Sequence, residues 1–183
     1  MDAIIKADLF RYTGKGGFGT LMKCLKRDPG FRFMFFFRLC QKYPVFHPKG
    51  FLARYFYHVY FFKYCIQIPK SVSIGKGFII RHFGGIVVNS KSVIGDNCTI
   101  LQGVTIGNTL RGKSKGAPVI GNKVYMGPGA VIVGKITIGD NVLIAPNAYV
   151  NFDVPPNSVV VGNPAVIKSS AEATVAYITN IVN

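Results

Sequence analysis

A left-handed parallel β-helix with a helical segment in front of it is the fold the sequence predicts. Three observations carry this: aliphatic residues recur every six positions through the second half, glycine often follows them, and the composition changes sharply near residue 67.

The six-residue step runs through Ile74 and Ile80, then Val88, Ile94, Ile100 and Ile106, then Ile120, Met126, Ile132, Ile138, Ile144 and Val150. Two residues earlier the chain is again small or aliphatic, as at Val72, Ile86, Cys98, Val104, Val124, Ala130, Ile136, Val142 and Ala148. Neither an α-helix nor a hairpin meander has this period. A triangular coil of three short strands does, with each aliphatic side chain stacked inward on its copy one coil above.

The register skips twice. Ile80 to Val88 is two residues too long, and the surplus falls around His82-Phe83-Gly84-Gly85. Ile106 to Ile120 is eight too long, which throws out Asn108–Ala117 as a polar loop carrying Arg111, Lys113 and Lys115. Loops expelled from a regular scaffold are where function concentrates.

Residues 1–66 hold 18 of the 24 aromatic residues and 12 of the 22 Lys and Arg. Residues 20–27, 31–43 and 51–66 read as helices, with a turn at Asp28-Pro29-Gly30 and a flexible glycine linker at 14–19. Such helices can cap the open end of the prism. A basic, aromatic helix can also lie on an anionic membrane face, and the two roles are compatible. The division expected is therefore 1–66 helical, 67–168 β-helix and 169–183 tail.

The net charge of +15 favours polyanionic partners, but no nucleic-acid recognition motif appears. The four cysteines form no metal-ligand spacing and are expected to be reduced thiols. No secretory leader and no membrane span is legible, so a cytoplasmic location is expected, peripheral to the membrane's inner face if the helices bind lipid.

Residues 67–168 resemble the hexapeptide-repeat acyltransferases, in particular their serine acetyltransferase-like branch. The resemblance rests on Ile80-Arg-His-Phe-Gly-Gly-Ile-Val-Val88, Ile100-Leu-Gln-Gly-Val-Thr-Ile-Gly107 and Asp153-Val-Pro-Pro-Asn-Ser-Val-Val-Val-Gly-Asn-Pro-Ala165. The N-terminal segment looks more like that of capsule and exopolysaccharide acetyltransferases. The resemblance implies acetyl transfer from acetyl-CoA to a hydroxyl without a metal, in a homotrimer whose active sites lie between subunits.

His82 is the one histidine of the repeat region, and it stands where the family's catalytic base stands. Imidazole suits the task because its unperturbed pKa lies near neutrality. Family members orient this base with an aspartate fifteen residues upstream; here that position is Gln67, whose carbonyl oxygen could hold the ring's tautomer. By resemblance, acetyl-CoA would lie along Gly107, Asn108, Gly127, Pro128, Ala145, Pro146 and Asn151, with Lys168 near its 3′-phosphate. The backbone N–H groups of Gly107 and Asn108 would face the oxyanion.

Two departures bear on the acceptor. The branch carries an aspartate just before the histidine, where this chain has Arg81. It carries Arg-His before the proline of the second loop, where this chain has Gly116-Ala117 before Pro118. Those changes remove the charges that would hold a zwitterionic amino acid. A sugar hydroxyl of a surface polysaccharide or its precursor, with Arg81 drawing an anionic acceptor, is therefore the expectation, and L-serine is the alternative. The histidine-zinc enzymes of the same prism need three histidines, which this repeat lacks. A purely structural β-helix has no reason to break register at a histidine.

Overall fold

The computed structural model describes residues 2–183. Four helices come first: α1 (Ala3–Thr13), α2 (Phe18–Arg27), α3 (Pro29–Lys42) and α4 (Pro48–Lys63). Each starts and stops for local reasons. The Asp2 carboxylate accepts from the Ile4 N–H, and α1 ends at Gly14, which takes a left-handed conformation at φ 66°. Asp28 caps α3 through the Phe31 N–H, with Pro29 at its first position, so Asp28-Pro29-Gly30 is a helix start and not a turn. The glycine linker is likewise shorter than expected, because Phe18 and Gly19 already belong to α2.

The left-handed β-helix follows, from Ile66 to Ser169. Its three parallel sheets hold five, four and six strands, and the only antiparallel member is the last strand, Val166–Ser169. The first face begins at Ile66–Gln67, the second at Ser73–Ile74 and the third at Ile79–Ile80. Every position of the six-residue step is buried, and so is every position two residues earlier. Cys98 is among them, and burial pushes its thiol up to about 12, which leaves no thiolate for covalent catalysis.

The helices cover one end and one face. Phe33, Met34 and Phe37 of α3 are fully buried and continuous with the prism core. On the third face, the outward-turned Ile79 and Thr99 are buried as well. A second small core joins Ile5 and Leu9 of α1 to Leu21, Cys24 and Phe31. Between the cores Asp8 and Arg38 pair at 2.9 Å, and both are buried.

The residues after Val166–Ser169 run back along the prism. The Ser170 N–H donates to the Asn157 carbonyl, Asn141 bonds Ala171 and Thr174, and the Tyr177 and Tyr125 rings meet at 4.9 Å. The tail then reaches α1: Arg11 donates to the Thr179 carbonyl, and Val182 exchanges two hydrogen bonds of 2.9 Å with the Asn97 amide.

Candidate active site

The strand register locates both loops. Ile80 pairs with Ile100, twenty residues on, whereas Val88 pairs with Ile106, eighteen on. Two extra residues therefore bulge from the first coil where it turns from the third face to the first, and this bulge carries His82. Likewise Ile94 pairs with Ile120, twenty-six on, so eight extra residues leave at the opposite edge of the first face.

The backbone before the bulge is held tightly. The Tyr12 hydroxyl accepts from the Ile80 N–H at 2.7 Å and contacts its carbonyl at 3.2 Å. Gly30 of α3 packs on the same peptide so closely that a Cβ there would lie 2.2 Å from the Ile80 oxygen. Burial raises the Tyr12 phenol well above its ordinary value, which keeps it a neutral clamp. Past Ile80, the Arg81 N–H donates to the Ile100 carbonyl at 3.1 Å. Gly84 and Gly85 then take φ of 110° and 65°, a turn that favours glycine, and the Gly84 carbonyl accepts from Gly103 at 2.8 Å. His82 stands exposed between these fixed points, and the neighbouring Phe83 ring rests on the buried Tyr64.

Gln67 lies on the first face opposite Val87, exposed, and no hydrogen bond joins it to His82 among the described residues. Six of the seven carboxylate side chains are committed elsewhere. Asp96, Asp140 and Asp153 each accept a backbone N–H one coil away, from Lys76, Asn122 and Thr137 at 2.7–2.8 Å. Asp2 and Asp28 cap helices, and Asp8 pairs with Arg38. Burial raises the Asp28 carboxyl, against the pull of the Phe31 N–H and of the nearby Arg81 charge. Arg81 is exposed beside the histidine and forms no ion pair among the described residues.

The remaining candidates fall into three groups. Gly127, Pro128, Ala145 and Pro146 follow the strands Val124–Met126 and Val142–Ile144, so they line the same edge as His82. Packing alone requires glycine at 127, since a Cβ would lie 2.8 Å from the Pro146 nitrogen. Gly107, Asn108 and Asn151 stand at the far edge of the first face, after Thr105–Gly107 and Tyr149–Val150. At the ~3.3 Å rise of a strand residue the two edges are about 15 Å apart. Lys168 is exposed on the last strand, opposite Val159. One chain thus does not bring His82 and the Asn108 loop together.

That loop has its own structure, which the sequence does not announce. Thr109 and Gly116 exchange two backbone hydrogen bonds of 3.0 Å, making a hairpin with Leu110, Arg111 and Lys113 exposed beyond them. The loop beyond that pair is tied to the next coil where the Lys135 N–H donates to the Ser114 carbonyl at 2.8 Å. His47 and His58 have other surroundings: the first caps α4 through its Nδ1, and the second meets the Phe62 ring edge-on at 4.8 Å. Among the described residues, no group of three or more His, Cys, Asp or Glu is placed to hold a metal ion.

The family pattern described as bacterial transferase hexapeptide (six repeats) matches residues 117–151. A serine acetyltransferase of Helicobacter pylori is 43% identical over 100 residues, covering 55% of this chain and 58% of that protein. The chain therefore spans little more than half the length of this relative. Among solved structures, soybean serine acetyltransferase complexed with serine superimposes with a TM-score of 0.71 at 30% identity, covering 90% of this chain and 67% of the other. Serine acetyltransferase of Brucella abortus in complex with coenzyme A superimposes at 0.75 with 27% identity, covering 91% and 67%.

Proposed function

Because the chain belongs to the hexapeptide-repeat acyltransferases, in their serine acetyltransferase-like branch, we propose that it transfers the acetyl group of acetyl-CoA to a hydroxyl, with His82 as the base. The observation that carries this reading is the exposed imidazole on a two-residue bulge whose flanks are clamped by Tyr12, Gly30 and Gly103. The acceptor oxygen attacks the thioester carbonyl carbon as the imidazole takes its proton. The oxyanion collapses, the carbon–sulfur bond breaks, and the thiolate leaves with the proton that His82 returns. The products are an acetyl ester and free CoA. Imidazole would be oriented by Gln67 or a backbone carbonyl, since the carboxylates of the prism are engaged.

The site is completed by a neighbouring copy. His82 lies at one edge of the first face and the hairpin at the other. Apolar residues turn outward on the open first and second faces, among them Val87, Tyr149, Val93 and Val119. Three prisms about a threefold axis would bury them and set the hairpin of one chain beside His82 of the next. The acetyl-CoA would then follow the edge through Pro128, Ala145 and Pro146 from one side, with Gly107, Asn108 and Asn151 supplied across the interface. Lys168 would offer its charge to the 3′-phosphate.

L-serine is the first acceptor, on the strength of the relatives' names and the soybean complex with serine. It displaces the sugar hydroxyl that Arg81, Gly116 and Ala117 suggest by themselves. One observation still favours the sugar as a second reading: an exposed guanidinium, without an ion pair among the described residues, adjoins the base, and it would repel an ammonium and attract an acidic sugar. Thiol release from acetyl-CoA, measured against L-serine and a panel of neutral and acidic nucleotide sugars, decides between them. Turnover of serine supports the first reading. Turnover of an acidic sugar alone, abolished in Arg81→Ala, replaces it with the second. Thiol release with no acceptor dependence overturns both.

A further inference from the structure

The structure leaves α4 with its apolar stripe facing outward. Only Gly50 and Ala53 of its sixteen residues are buried. Phe51, Leu52, Tyr55, Val59 and Phe62 recur at the three- and four-residue spacing of one helix face, and all are exposed, Phe51 by 70% and Phe62 by 64%. Phe46, in the segment leading into the helix, is 97% exposed as well. The core does not need these rings, because α3 already closes the end of the prism with Phe33, Met34 and Phe37.

The charge around the stripe is of one sign. From Pro29 to Gly95 the chain carries ten Lys and Arg and no Asp or Glu. Lys49 and Lys63 stand at the two ends of α4, both exposed, where their stems can lie along an apolar layer with the ammonium outside it. Beside the stripe runs a groove of about 550 Å³ between α4 and the first coil. Its walls include Tyr57, Phe61 and Phe62, and its basic side chains are Arg54, His58 and Lys70, a setting for a phosphate-bearing headgroup. Among the described residues no helix is long and apolar enough to cross a membrane. A one-sided apolar stripe flanked by lysines is suited to lying on one.

We infer that α4 is a docking helix that beds Phe51, Tyr55 and Phe62 into the interface of an anionic lipid bilayer, with Lys49, Lys63 and Lys70 on the headgroups. Charge complementarity selects the bilayer over a second copy. Two such faces brought together would oppose cation to cation with no carboxylate between them, whereas an acidic lipid surface supplies the missing sign. The inference stands apart from the acetyl-transfer reading, since it uses none of its residues and is read by binding alone.

Sedimentation of the full chain with vesicles tests it. Binding is expected to phosphatidylcholine vesicles containing phosphatidylserine, not to phosphatidylcholine alone, and to fall as salt is raised. Each of Lys49→Gln and Lys63→Gln should weaken binding about fivefold. Phe51→Ser with Tyr55→Ser and Phe62→Ser should abolish it while the thermal midpoint and solution mass stay those of the parent. Failure of the parent chain to bind acidic vesicles overturns the inference, as does undiminished binding by the triple variant. A change in that variant's solution mass would assign the stripe to contact between copies and overturn it too.

Discussion

The Phe83 ring lies 5.2 Å from the Tyr64 ring, tilted by 51°, so the residue next to His82 rests on the residue that caps the C-terminus of α4. Tyr64 is itself fixed, stacked on Tyr60 at 5.0 Å and bonded through its hydroxyl to Arg32. Phe83 is half exposed and carries little of the fold, so Phe83→Ala should cost no more than about 1 kcal/mol of stability. Its expected effect is on turnover, with kcat falling on the order of tenfold for a misplaced base. Phe83→Tyr, which keeps the ring, should restore kcat, a rescue that steady-state kinetics beside a melting curve would register.

His82→Ala should leave the thermal midpoint unchanged, since the side chain is exposed. Acetyl transfer should fall by roughly 10²–10⁴, the contribution of a lost general base. Near-normal thiol release in a folded variant would remove His82 from the reaction.

Gly30→Ala addresses the clamp behind the bulge. Its Cβ would lie 2.2 Å from the Ile80 oxygen, a backbone atom that cannot swing aside. The expected loss is about 1–3 kcal/mol, read by denaturant unfolding. Acetyl transfer should fall as well, because the displaced peptide lies two residues before His82.

The buried Asp8–Arg38 pair predicts a pH dependence. Burial pushes the Asp8 carboxyl up, while the Arg38 charge and the Phe78 N–H pull it down. Arg38→Met leaves the upward push without its main opponent and should cost ~3–5 kcal/mol at neutral pH. In that variant the folded chain holds the Asp8 proton at pH values where the unfolded carboxyl, near 3.8, has released it. Its stability is therefore greatest below that value and declines as pH rises through the folded pKa. Unfolding titrations should show a smaller gap to the parent chain at mildly acid pH than at neutral pH.

Separation of His82 from the hairpin within one chain predicts complementation. Chains carrying His82→Ala, refolded with chains lacking residues 109–116, should recover activity that neither has alone. Mixing without recovery, in a mixed oligomer shown by mass, would place the whole site within one protomer.

Periodic parts of the molecule are legible in the sequence, because each inward side chain repeats the same physical demand. Ile94, Ile100 and Ile106 can be placed from spacing alone, and the His82 bulge can be placed from the spacing's failure. Helix α1 is less legible. Its buried face carries Asp8 and Arg11, which read as solvent-exposed until their partners are known. Those partners are Arg38 and the carbonyls of Gly77, Asn97 and Thr179, remote in sequence and without a local signal. The hairpin at Thr109–Gly116 is hidden for a related reason: its pairing rests on backbone groups, and its residue types spell only a polar loop. Gly127 shows the converse, a candidate ligand contact that coil packing already explains.

A solenoid is ordinarily a row of neighbours, and it can fray from either end without disturbing the middle. Here the returning tail ties residues beyond the last coil to Arg11 and Asn97, at the first coils and the first helix. In terms of contacts the row becomes a ring: the last coil cannot come away without loosening α1, and α1 cannot leave without releasing the tail. The molecule should accordingly melt as one cooperative body, with α1 and the returning tail, far apart along the chain, sharing a single fate.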